Sequence, residues 1–114
     1  MTDPADPLLL ARALVLHDLR VCGADTPITV SLVEDVLAQR RAWLQAWPDG
    51  APYIAGLVAQ DVQEALLENV GRWPACPRHS GPEAHELYVL PDLGEDPHWV
   101  CEADGCVVAP LGSL

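Results

Sequence analysis

The first apolar segment of the chain has the pattern of an α-helix. An Asp-Pro pair at residues 6 and 7 supplies an N-cap and a first turn, and the apolar run that follows predicts a helix over residues 7–22. Gly23 ends it. The segment is apolar on nearly all sides, so we expect it to be the most buried helix or an interface with another chain.

Two amphipathic helices are predicted next. Ser31 and Glu34 have the spacing of a capping box, which places the start of the second helix at residue 31, and Trp47 is its last residue. A third helix is predicted over residues 50–71. Its apolar positions recur every four residues, at Ile54, Val58, Val62, Leu66 and Val70.

The pattern changes at Trp73. Pro and Gly become frequent, and the remaining apolar residues form three short β-prone runs, at residues 87–90, 99–100 and 107–108. The sequence therefore predicts an α+β fold with a helical part over residues 1–72 and a β unit over residues 73–114. We expect the β unit to pack on the helices through Trp73, Trp99 and the apolar tail, residues 107–114.

The charge of the chain restricts its partners. The 114 residues have a formal net charge of −11, with 17 carboxylates, six Arg and no Lys. Nucleic acids and anionic membranes attract basic surfaces, so this balance disfavours both and favours a protein partner with a basic surface. The abundance of Ala, Leu, Val and Pro indicates a GC-rich genome and hence a bacterial source.

The cellular compartment of the protein determines whether its four Cys are expected to be reduced or oxidised. The apolar run from Leu8 to Leu16 does not resemble a signal peptide, because no basic residue precedes it and Arg12 interrupts it. We therefore expect a cytoplasmic protein with reduced thiols, in which close Cys and His residues indicate a metal. Cys22 lies on an apolar helix and is expected to be a small buried residue.

Two closely spaced pairs of residues predict a metal site in the β unit. The unit is too short and too sparsely apolar to be stable alone, because isolated ribbons of two or three strands are marginal in water. A structural zinc ion bound by three Cys and one His contributes folding energy directly. We therefore predict a zinc site formed by Cys76, His79, Cys101 and Cys106.

The first pair, Cys76 and His79, lies in a motif that resembles one found in a known class of proteins. The motif Cys76-Pro77-Arg78-His79 resembles the knuckle of zinc-ribbon proteins, in which such a turn and a second Cys pair clamp a β-ribbon. The resemblance covers residues 73–109 and implies a ribbon held by zinc. The second pair in this chain, Cys101 and Cys106, is separated by four residues and not by the usual two. His85 and His98 are therefore alternatives to Cys106. Iron in place of zinc stays open.

No catalytic motif accompanies these ligands, so we expect a protein that is not an enzyme. An open coordination position beside Glu86 or Glu102 would indicate a zinc hydrolase instead. His17 and Asp18 are interpreted as a pair on the helix surface. A regulator that contacts nucleic acid would need a basic patch, for which the candidates are Arg40, Arg41, Arg72 and Arg78.

The preferred interpretation is a non-catalytic zinc-binding adaptor or regulator that binds another protein. Residues 83–104 carry seven acidic residues and no Arg, which predicts a negative face. The tail, residues 107–114, is expected to cover the helical core, with docking into a partner as the alternative. The apolar helices could also form a homodimer.

Overall fold

The computed structural model describes residues 6–79 and 81–114. Within them, three α-helices precede a three-stranded antiparallel sheet, which confirms the predicted α+β fold. The helices are α1 (Pro7–Val21), α2 (Pro27–Ala46) and α3 (Ile54–Asn69). The strands are β1 (Tyr88–Leu90), β2 (His98–Val100) and β3 (Val107–Pro110).

Helix α1 begins where the sequence predicts and ends one residue earlier, at Val21, with Cys22 as its C-cap. The Asp6 carboxylate accepts from the Leu8 N–H at 3.0 Å, and Gly23 follows the helix with φ of +68°. One side of α1 packs on α2 and α3. Leu9 and Leu10 on the other side are exposed, so the helix is not buried all round. Cys22 is also exposed, which makes its expected burial wrong.

Helix α2 starts earlier than predicted. Thr26 is its N-cap, with Oγ1 accepting from the Thr29 N–H at 3.3 Å, and Pro27 occupies the first turn. Pro suits that position because the N–H it lacks would have no partner in the helix. The capping role assigned to Ser31 is therefore wrong, and Ser31 is an exposed residue inside the helix.

A 3₁₀ helix over Pro48–Tyr53 separates α2 from α3, so the third α-helix begins at Ile54 and not at residue 50. Pro48 and Pro52 have no N–H to donate, which weakens α-helical bonding in this segment. Gly50 is buried here, and a Cβ at this position would collide with the ring of Trp43. The close approach explains why this turn contains glycine.

The sheet has the strand order β1-β2-β3, with Val89 opposite Trp99 and Trp99 opposite Ala109. Trp99 is fully buried, and its ring meets that of Trp73 edge to face, with centroids 5.3 Å apart. Strand β1 packs on α3. Packing of the β unit on the helices through Trp73 and Trp99 is therefore confirmed.

A buried carboxylate fastens the sheet and the tail to α1. Asp18 is 0% exposed and accepts from Trp99 Nε1 at 2.7 Å, from the Gly112 N–H at 2.6 Å and from the Leu114 N–H at 3.0 Å. Leu111 is buried beside these contacts. The tail therefore covers the helical core, as expected.

The interpretation of Asp18 as half of a surface pair is wrong. His17 Nδ1 does lie 3.2 Å from Asp18 Oδ1, and His17 is exposed, but the carboxylate itself is inside the protein. The donors that stabilise the buried charge come from the far end of the chain. Gly112 approaches Leu14 too closely to admit a Cβ, which allows its N–H to reach the carboxylate.

We predict that Asp18→Ala lowers the free energy of unfolding by about 3 kcal/mol, because three donors lose a buried charged acceptor. Urea unfolding followed by tryptophan fluorescence measures this change. Asp35→Ala, on the exposed side of α2, is the matched control and should change stability far less. Equal effects of the two substitutions would contradict the role of Asp18.

Candidate metal centre

Two segments before the sheet pair with each other and bring Cys76 next to His85. The Cys76 N–H donates to the His85 carbonyl at 2.9 Å, and the Leu87 N–H donates to the Pro74 carbonyl at 2.8 Å. Ala75 and Glu86 thus form an antiparallel bridge. His79 lies in the loop that connects these segments, so one local structure carries three of the candidate ligands.

Helix α3 holds the paired segments in place. Gln63 Nε2 donates to the Trp73 carbonyl at 3.1 Å and to the Leu87 carbonyl at 2.8 Å. One side chain therefore binds both segments, one on each side of the loop. Because backbone carbonyls inside a protein need donors, this contact stabilises the position of the loop relative to the helices.

Cys101 approaches the segments that carry Cys76, His79 and His85 from the end of the sheet. It directly follows β2, in a turn closed by a 2.8 Å hydrogen bond from the Gly105 N–H to the Cys101 carbonyl. The Cys101 N–H donates to the Cys106 carbonyl, also at 2.8 Å. Gly105 has φ of +72°, a conformation that glycine adopts without strain. The turn presents Cys101 to the loop that carries His79.

Four side chains form a cluster that could bind a metal ion: Cys76, His79, His85 and Cys101, hereafter the Cys2His2 cluster. Their ligand atoms all lie within 4.8 Å of one another. His79 Nδ1 is 3.5 Å from Cys76 Sγ and 3.6 Å from Cys101 Sγ, and His85 Nε2 is 3.4 Å from Cys101 Sγ. Both Cys are buried and both His are half-buried.

These distances suit a small tetrahedral ion. With metal–sulfur bonds of about 2.3 Å and metal–nitrogen bonds of about 2.0–2.1 Å, neighbouring ligand atoms of a tetrahedral zinc ion are roughly 3.3–3.8 Å apart. The three sulfur–nitrogen distances of 3.4, 3.5 and 3.6 Å lie within that interval. These three contacts already have the spacing of a tetrahedral site, and the remaining ligand atoms lie within 4.8 Å of one another.

Hydrogen bonds around the cluster favour the thiolate of Cys101 and fix the orientation of His85, while they also favour the protonated form of His85. Burial raises the pKa of the Cys101 thiol, but backbone donors at Asp104 and Ala103 and the imidazole of His85 lower that pKa below its ordinary value. The Glu83 carbonyl accepts from His85 Nδ1 at 2.9 Å, and this bond raises the pKa of His85. Because Nδ1 of His85 bonds to the Glu83 carbonyl, Nε2 of His85 is the nitrogen that faces Cys101.

The structure does not bring Cys106 or His98 into the cluster. Cys106 is exposed, and its thiol interacts with the Asp104 carboxylate, which raises the pKa of Cys106. The His98 Nδ1 lies 2.6 Å from the Asp96 carbonyl at the other end of β2. Of the alternatives that the sequence left open, His85 is the one next to Cys76 and Cys101. Ligation by Cys106 stays a prediction without geometric support.

A family model described as a domain of unknown function, DUF8819, matches residues 4–111. The chain belongs to the DUF8819 family. The match covers the three helices, the sheet and all four residues of the Cys2His2 cluster. No curated protein and no solved structure matches the chain.

The DUF8819 description names no metal and no zinc ribbon, so the geometry alone supports the metal centre. Among the described residues, no helix has the length and apolar character needed to cross a membrane.

We predict that His85→Ala and Cys101→Ser abolish stoichiometric metal binding, because each removes one of four ligands. Metal content of the untagged protein, measured by inductively coupled plasma mass spectrometry, tests this. His98→Ala and Cys106→Ser are the matched controls and should keep about one equivalent of metal. Loss of metal in Cys106→Ser with retention in His85→Ala would contradict the proposed ligand set.

Proposed function

We propose that this DUF8819 protein is a non-catalytic zinc-binding adaptor that acts by binding another protein. The observation that carries the proposal is the Cys2His2 cluster, whose four ligand atoms lie within 4.8 Å of one another. Four protein ligands complete a tetrahedral zinc and leave no position for the water that a catalytic zinc requires. Two Cys and two His suit Zn²⁺, which we favour over iron.

Zinc would further stabilise a sheet whose strands are short. Its strands contain three, three and four residues. Such short strands do not form an independently stable unit. An ion bound by the Cys2His2 cluster would connect the turn after β2 to the loop that Gln63 fixes on α3, which is the role of zinc in the zinc ribbons that residues 73–109 resemble.

The stabilised sheet presents an apolar surface. Leu90, Pro91, His98, Val100, Gly105 and Val107 line a shallow depression on the side of the sheet away from Trp99, hereafter the outer sheet face. Val107 is 63% exposed and Leu90 is 38% exposed. Exposed apolar surface of this kind on a small protein is a candidate contact site for a partner.

The connections before and after β2, a strand of the outer sheet face, are acidic in sequence, and this composition indicates the chemistry of that partner. The loop between β1 and β2 contains Asp92, Glu95 and Asp96, and the turn after β2 contains Glu102. None of these four forms an ion pair within residues 6–79 and 81–114. We therefore propose a partner segment that combines Lys or Arg with apolar side chains.

The two other functions considered from the sequence have weaker support. A hydrolase needs an open metal position beside Glu86 or Glu102, whereas the cluster offers four protein ligands. A nucleic-acid regulator needs a basic patch. Arg40 is paired with Asp61, and Arg78 with Asp104 at 3.0 Å, so carboxylates neutralise two of its four candidate residues.

Cytoplasmic location and a homodimer stay predictions. The apolar residues that a dimer through α1 would cover include Leu9 and Leu10, which are 59% and 60% exposed. Light scattering of the purified protein would measure its oligomeric state.

We predict that a random peptide library selected against the zinc-loaded protein yields peptides containing both basic and apolar residues. Calorimetry with synthetic peptides should show that Val107→Asp weakens binding by about tenfold or more, because it places a charge on the outer sheet face. Binding should also weaken as salt concentration rises. Ile28→Asp, at an exposed position of α2, is the matched control and should bind normally.

Two results would contradict the proposed function. The first is selection of acidic peptides, or of peptides that bind Val107→Asp and the unmodified protein equally. The second is turnover of ester or phosphate substrates that disappears in His85→Ala, because a purely structural metal site performs no chemistry.

A further inference from the structure

Helix α1 has an apolar side that the described part of the chain leaves exposed. The sequence makes this helix apolar on nearly all sides, which predicts either deep burial or an interface with another chain. In the structure, Leu9, Leu10 and Val21 are 59%, 60% and 52% exposed, and Ala13 between them is exposed as well. Burial within one chain does not account for these positions, so the interface is the alternative that remains.

Six exposed residues form a continuous stripe along this side of the helix. The stripe, hereafter the outer α1 face, consists of Leu9, Leu10, Ala13, His17, Arg20 and Val21. Its members recur three or four positions apart, which places them on one side of a helix. Ala13 is in the middle of the stripe. Because its side chain is small, a second helix can approach the outer α1 face to an interaxial distance of roughly 8–10 Å.

The outer α1 face differs in charge from the exposed sides of the other helices. Those sides carry charged and amide side chains, including Asp35, Gln39, Arg41, Glu64 and Glu68. The outer α1 face contains no carboxylate, and its two ionisable side chains are His17 and Arg20. A partner segment rich in Lys or Arg, as proposed for the outer sheet face, does not suit it because Arg20 repels such a segment.

The charges at the two ends of α1 suit a second copy of the chain in an antiparallel orientation. Asp6 caps the start of the helix, and Arg20 lies in its last turn. The Arg20 side chain is 73% exposed, and its contact with Asp25 is long, at 4.0 Å. Antiparallel helices direct Arg20 of each copy towards Asp6 of the other, whereas parallel helices place the two Arg20 side chains together. Antiparallel packing also brings opposite ends of the helix dipoles side by side.

We propose that two copies of this protein form a dimer by antiparallel packing of their outer α1 faces. The two-fold axis passes close to the middle of α1, so each contact occurs twice. Leu10 of one copy contacts Val21 of the other, and Ala13 contacts the helix of the other copy near His17. This packing removes from water the apolar side chains that one chain leaves exposed.

The first test is sedimentation equilibrium of the full chain over about 1–500 μM, which should show a monomer–dimer equilibrium. Ala13→Arg should weaken dimerisation by at least about tenfold, because a long charged side chain in the middle of the face keeps the helices apart. Ala42→Arg, at an exposed position of α2, is the matched control and should dimerise normally. Both alanines are exposed and Arg is a good helix former, so both variants should fold.

The second test measures the orientation of the helices and needs no substitution. Isotope-filtered NMR spectra of dimers mixed from labelled and unlabelled chains report contacts between the two copies only. We expect contacts between the methyl groups of Leu10 in one copy and those of Val21 in the other. Val107→Asp should dimerise as the unmodified protein does, because Val107 lies on the outer sheet face.

Three results would overturn the proposal. One is a monomer at every concentration up to about 500 μM. Another is equal weakening of the dimer by Ala13→Arg and Ala42→Arg. The third is contact between the Leu10 methyl groups of the two copies, which indicates parallel helices. None of these results depends on the peptide binding proposed for the outer sheet face or on the metal, so the two proposals fail separately.

Discussion

The buried carboxylate of Asp18 is the contact on which the arrangement of the two parts of this protein depends. It joins α1 to Trp99 in the middle strand and to the backbone of the tail, at sequence separations of 81, 94 and 96 residues. A buried charge is tolerated only when donors surround it, so the sheet and the tail must be in place for α1 to pack as it does. The helices and the sheet therefore stabilise each other.

Where β2 ends at Val100, the Cys2His2 cluster lies between the sheet and the loop that carries His79. Cys76 and Cys101 are buried as part of the hydrophobic core, whereas His79 and His85 are only half-buried. A bound metal would convert four adjacent polar groups into one rigid connection. In the proposed metal-bound form the sheet would be fixed both by Asp18 on α1 and by an ion next to the loop that Gln63 holds on α3, and the outer sheet face would be free for the proposed partner.

Much of this fold could be predicted from the sequence, because helical periodicity and the change at Trp73 are local signals. The start of α2 was missed because the motif at Ser31 and Glu34 matched a capping box, while the actual cap at Thr26 is followed by Pro27. Asp18 was missed because its partners lie at the other end of the chain.

The candidate metal centre was also partly predictable, because some of its residues lie in short local motifs. Cys76, His79 and Cys101 stand in recognisable spacings, whereas His85 becomes a neighbour only through the pairing of its backbone with that of Cys76 at 2.9 Å. No local pattern around His85 reveals that pairing. Its distance of nine positions from Cys76 does fit a hairpin, which is a signal that sequence reasoning could have weighted more strongly.

The most direct test of the central claim is X-ray absorption spectroscopy at the zinc edge on the purified, untagged protein. The Cys2His2 cluster predicts one zinc ion with two sulfur ligands at about 2.3 Å and two imidazole nitrogens at about 2.0–2.1 Å. Three sulfur ligands would contradict it and restore Cys106 in place of His85. A protein that binds no zinc would remove the metal centre from the explanation of this fold.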